Sequence, residues 1–80
     1  MLTACEKCDS DQASNQYVSA SNNVNQALVD EDCVAFKNAM VEFEQAYNLY
    51  CKEDKDNLKS SYEISVSAFK QSATQFGCIY

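Results

Sequence analysis

Five cysteines stand at positions 5, 8, 33, 51 and 78 of an 80-residue chain. A thiol can act as a nucleophile, exchange electrons as half of a dithiol, bind a metal or close a disulfide. Nucleophilic attack needs a thiolate, and a thiolate needs a nearby base or cation. The chain has no histidine, and no cysteine or serine has a base partner readable from its spacing. A structural zinc site brings two ligand pairs at short spacing. Only one CxxC occurs here, Cys5-Glu6-Lys7-Cys8, and the other cysteines are scattered at helix-length intervals. A redox CxxC is activated at the start of a helix that follows a strand, and no strand-like segment precedes Cys5. Disulfides in an oxidising compartment are the use that fits.

The remaining side chains add little chemistry. Glu42 and Glu44 lie two apart and face different ways on a helix, so they do not form a paired acid and base. Asp54 and Asp56 make a DxD pair, but a calcium loop would need a third oxygen ligand at 58, then a glycine, and a glutamate at 65. Leu58 and Ser65 rule that loop out. Asp30-Glu31-Asp32 reads as the carboxylate-rich start of a helix, where acids complement the positive end, with Asp32 as N-cap. There is no glycine-rich phosphate loop. The expectation is a non-enzymatic protein without cofactor or metal. The net charge is −6 and there is no arginine. Phosphate backbones and anionic headgroups both select clustered cations, so nucleic acid and the bare lipid surface are poor partners. No run approaches the ~20 apolar residues of a membrane span.

The elements that position these residues are helical. Proline is absent and Gly77 is the one glycine, too few breakers for a turn-rich β fold. The strongest pattern lies between Cys33 and Cys51. Cys33, Phe36, Met40, Phe43, Tyr47 and Tyr50 recur at steps of three and four, one stripe of a helix over about 33–51. A first helix over about 11–29, capped by Asp9 or Ser10, has a thinner stripe of Ala13, Tyr17, Ala20, Val24 and Ala27 or Leu28. Its Ser and Asn content makes it dependent on packing. A third helix over about 57–76 follows a solvated Lys52–Asn57 turn with Asp56 as its cap. It carries Leu58, Tyr62, Ser65 or Val66, Phe69, Ala73 and Phe76, and stops at Gly77 as a left-handed C′ residue. Residues 1 to 10 read as a flexible tether and 11–80 as one domain.

Three helices of about 20 residues with short connections stack as an all-α, up-down-up bundle. That geometry selects the cross-links. Cys33 and Cys51 sit at opposite ends of one helix, about 27 Å apart, far beyond the ~7 Å limit between bridged Cα atoms. Cys8–Cys33 would join opposite ends of the first helix. Setting Cys5 aside, Cys8–Cys51 and Cys33–Cys78 remain, one at each end of the bundle.

Cys5 has a separate use. Leu2-Thr3-Ala4-Cys5 resembles the lipobox of bacterial lipoproteins: an aliphatic residue, two small residues, then cysteine. The resemblance covers four residues. It implies cleavage before Cys5, lipidation of its sulfur, and a polar tether beginning at Glu6. Leu2 to Ala4 would then be the end of a signal peptide, whose charged and apolar regions would precede them.

These readings converge on a small envelope-tethered helical lipoprotein that binds another protein. It would face the periplasm or the outer surface and meet the membrane only through the lipid on Cys5. Val34, Val41 and Leu49 fall off the apolar stripe of the middle helix and are the candidate partner face. The tyrosines Tyr17, Tyr47, Tyr50 and Tyr62 are expected at the core boundary, ring buried and hydroxyl wet. The alternative is a carrier of a small apolar ligand, in a cavity left between helices by the small residues of the first.

Overall fold

A computed structural model describes residues 8–78. Helices α1 (Ser10–Asp30), α2 (Cys33–Leu49) and α3 (Lys52–Thr74) make an up-down-up bundle, cross-linked by Cys8–Cys51 and Cys33–Cys78. This is the expected architecture with the expected pairing. The expected tether is described only from Cys8 onward; Met1–Lys7, with the lipobox-like residues and Cys5, lie outside the described residues.

Asp9 caps α1, its side chain accepting from the Gln12 N–H at 3.0 Å. The buried residues of α1 are Ala13, Ala20, Val24 and Ala27, with Tyr17 and Leu28 half-buried. At the far end Glu31 takes the left-handed conformation, φ 54° and ψ 42°. The Glu31 N–H donates to the Leu28 carbonyl and the Asp32 N–H to the Ala27 carbonyl, at 3.2 and 3.0 Å. This pair of bonds is a Schellman stop. Asp32 then caps α2 by accepting from the Ala35 N–H at 3.0 Å. The acidic run thus both ends one helix and starts the next.

α1 and α2 are the most closely packed pair of helices, for a reason written at seven-residue intervals. Ala13, Ala20 and Ala27 recur along α1, and Ala39 and Ala46 along α2; all five are buried. A seven-residue repeat keeps one seam facing the partner, and a seam of methyl groups lets the backbones approach. The contact from Asn23 Nδ2 to Glu42 Oε1, 3.4 Å, marks the register. It brings the Ala20 turn level with Ala46 and the Ala27 turn level with Ala39.

The third helix begins earlier than its pattern suggested. Lys52–Asn57 is its first turn and a half, not a loop. The reversal is made by Tyr50 and Cys51 alone, both extended with ψ near 150°. The six polar residues are compatible with a helix, since none is glycine or proline. Glu53 and Asp54 favour the positive end, and Lys52 pairs with Asp56 one turn on at 3.2 Å. Asp56 therefore lies inside α3 rather than capping it; Cys51 holds the N-cap position without a side-chain bond. α3 ends at Thr74 and three turn residues follow. Gly77, at φ +88°, closes a second Schellman stop: Gly77 N–H to Thr74 O and Cys78 N–H to Ala73 O, both 3.1 Å. The stop turns Cys78 inward, where it is buried.

The core has two halves. Near Cys33–Cys78 it consists of Val24, Ala27, Phe36, Ala39, Met40, Ala73 and Cys78. Near Cys8–Cys51 it is aromatic, with Phe43 as the hub. Tyr17, Tyr62 and Phe69 surround it at ring-centroid distances of 4.5, 5.4 and 5.6 Å. α3 contributes one fully buried residue, Ala73. Leu58, Tyr62, Val66, Phe69 and Phe76 of its stripe are half-buried, so α3 lies over the α1–α2 pair as a lid whose apolar face stays partly wet.

Candidate functional site

The cysteines account for the rigidity of the molecule. Cys8–Cys51 brings Cα atoms to 4.8 Å and Cys33–Cys78 to 5.5 Å. Because Cys8 is bonded to Cys51, it cannot also be half of a Cys5–Cys8 dithiol. Backbone and hydroxyl bonds reinforce the first bridge. The Asp9 N–H donates to the Leu49 carbonyl at 3.0 Å. The Ser10 hydroxyl accepts from the Cys51 N–H at 3.2 Å and donates to the Asp54 carboxylate at 2.5 Å. One serine thus satisfies an orphan donor at the start of α3 and ties α1 to α3 at that end, while the Asp9 bond ties α1 to α2. Both bridges point to an oxidising, extracytoplasmic setting, where disulfides form and persist. Among the described residues no helix is long and apolar enough to cross a membrane.

The tyrosines lie where expected, half-buried. Tyr47 stacks on Tyr62 at 4.0 Å and Tyr17 meets Tyr50 edge-on at 5.8 Å. The Tyr47 hydroxyl is not simply wet: it donates to the Lys55 carbonyl at 3.1 Å, while the Lys55 ammonium sits 5.8 Å from the Tyr47 ring centre. Burial raises the Tyr17 pKa above its ordinary 10.0, and the neighbouring Tyr50 and Tyr47 add to the rise by repulsion between phenolates. The Tyr17 contacts pack α1 against α2, and the Tyr62 and Phe69 contacts pack α3 onto that pair.

The three residues of the candidate partner face separate. Val34 is 72% exposed and Val41 50%, but Leu49 is half-buried, turned toward the Cys8–Cys51 end where its carbonyl serves Asp9. Val34 and Val41 gain a different company. Positions 34, 38, 41 and 45 step by four, three and four, one row along the outer face of α2. That row alternates Val34, Asn38, Val41 and Gln45.

Asn38 and Gln45 also line a furrow that spacing alone did not reveal. It runs between α1 and α2 and consists of two open hollows of about 290 and 350 Å³ that share Glu42. Its floor is alanine, including Ala20, Ala27 and Ala39; its walls are carboxamides from both helices. The missed signal was the seven-residue alanine repeat. Small residues on α1 do not hold the helices apart around a cavity; they let them close up, leaving a shallow trough between the taller polar side chains. Both hollows are open to solvent, unlike the enclosed apolar cavity that ligand carriage would use.

Charge is unevenly divided. Between Asp9 and Leu49 there are seven carboxylates and one lysine, Lys37, whereas α3 balances four of each. The α1–α2 pair thus holds the negative charge of the molecule, with Glu42 at the middle of the furrow and Asp30 at one end. Compared with known proteins, the chain matches no family model, no curated protein and no solved structure.

Proposed function

We propose that the protein is an extracytoplasmic, lipid-anchored, non-enzymatic module that binds another protein through the outer face of α2. The observation that carries the reading is the exposed Val34–Asn38–Val41–Gln45 row, apolar and amide side chains alternating on the middle helix. That helix is held at both ends by disulfides, so little conformational freedom is lost on binding. Exposed valines on a rigid, otherwise polar face match the small apolar centre and polar rim of a modest interface. The lipobox-like Leu2-Thr3-Ala4-Cys5 supports the anchor: a diacylated Cys5 would place the bundle at an envelope surface.

Two experiments test the reading. A photo-cross-linking residue at Val41 is expected to trap a discrete partner in native cells, while the same residue at exposed Ile64 on α3 traps none. Equal yields from both positions, or none from Val41, reject the face. Mass spectrometry of the native protein is expected to find an acylated Cys5, and an unmodified thiol rejects the anchor.

A further inference from the structure

We propose that the furrow between α1 and α2 is the binding site for an extended, cationic peptide segment of the protein partner. The inference rests on the protein-binding reading and names what the α2 face would hold.

Six exposed carboxamides line the two hollows: Asn15, Gln16, Asn23, Gln26, Asn38 and Gln45. A carboxamide presents donor and acceptor in one plane, the complement of a peptide group. A helix entering the furrow would have its own backbone bonds already satisfied and could offer only side chains. An extended segment brings unpaired N–H and C=O groups along both edges, and each finds partners in the two walls. The alanine floor lets a backbone lie close. From Asn15 to Asp30 the furrow runs about 22 Å, which an extended chain covers in about seven residues.

The sign of the segment follows from the charges. Glu42 stands midway, within reach of both hollows, and accepts from the Asn23 amide at a long 3.4 Å. Asp30 marks one end, and no lysine or arginine lines either hollow. The acidic α1–α2 pair around the furrow attracts a cationic segment from a distance and repels an acidic one. A second copy of this chain, itself at −6, is the wrong occupant.

The probe is a mixture of capped decapeptides randomised over Ser, Thr, Val and Ala with one central lysine, titrated into the oxidised, ¹⁵N-labelled chain. The expected result is movement of the side-chain amide signals of Asn23, Asn38 and Gln45, with the Tyr47 and Tyr62 surroundings unmoved. Replacing the peptide lysine by glutamate, or Glu42 by Gln in the protein, is expected to weaken binding about three- to fivefold. Asn38→Ala with Gln45→Ala is expected to weaken it about tenfold at unchanged melting temperature. Signals moving on α3 instead, equal binding of the glutamate peptides, tighter binding of a lysine-containing helical peptide, or no movement at millimolar peptide would each overturn the inference. If the furrow is silent yet Val41 still cross-links a partner, the peptide site falls and the protein-binding reading stands; if both fail, both are wrong.

Discussion

Single residues carry unequal burdens at the two helix stops. Both stops place one residue in the left-handed region, Glu31 at φ 54° and Gly77 at φ +88°. A non-glycine residue there crowds its Cβ against the following carbonyl, at about 1–2 kcal/mol, and glycine escapes the clash at some entropic cost. Glu31→Gly is therefore expected to raise stability by about 0.5–1 kcal/mol in urea unfolding, and a variant no more stable than the parent would contradict the strain at Glu31. Tyr17 gives a pH dependence. Its folded pKa is raised by burial first and by Tyr50 and Tyr47 next, so unfolding lets it ionise more easily. Its contribution is complete below the ordinary tyrosine pKa and is lost as pH climbs through the folded value. Alkaline titration followed by phenolate absorbance should show Tyr17 ionising late, and Tyr17→Phe should remove that step and reduce the loss of stability above pH 10.

Among the elements, the α1–α2 pair and α3 are held by different means. The pair relies on five buried alanines, so bulk at the seam is expected to be harmful even though it adds apolar surface. Ala20→Leu should cost about 1–3 kcal/mol by forcing the helices apart, read as a lower urea midpoint. A midpoint at or above the parent's would mean that the seam has room. α3 depends on tethers at its ends, because its stripe is half-buried along most of its length. Ser10 is one such tether, bonded to Cys51 and Asp54. Ser10→Ala should cost about 1 kcal/mol and speed amide exchange in the first turn of α3 relative to the middle of α2.

For the molecule as a whole, the two bridges are comparable to its net stability. They span 43 and 45 residues, each worth about 4 kcal/mol in the chain-entropy account. A chain of this size has a total stability of only a few kcal/mol above that of its unfolded state. Full reduction is expected to abolish the cooperative thermal transition, measured by far-ultraviolet circular dichroism with and without a dithiol reductant. A reduced protein with an unchanged Tm would show that the core suffices alone.

The sequence by itself determined the number of helices, the stripe each one buries and the disulfide pairing. Those follow from local periodicity and chain reach: steps of three and four define a helix face, and 27 Å along one helix forbids a bond between its end cysteines. It also marked the cap at Asp32 and the stop at Gly77 and narrowed the first cap to Asp9 or Ser10, because capping is chemistry between near neighbours; the structure chose Asp9. Only the tertiary structure decided where α3 begins. Lys52–Asn57 is polar enough for a loop and breaker-free enough for a helix, and the ambiguity was resolved by the Cys8–Cys51 bridge and Ser10 fixing the elbow at Tyr50 and Cys51. It likewise turned Leu49 inward while leaving Val34 and Val41 in solvent. The furrow is the clearest case. Its carboxamides come from two helices and its depth from the close approach of two alanine seams, so no stretch of one helix contains it. A periodic pattern tells which side of a helix is covered, but how near the covering helix comes is set by the residues it meets.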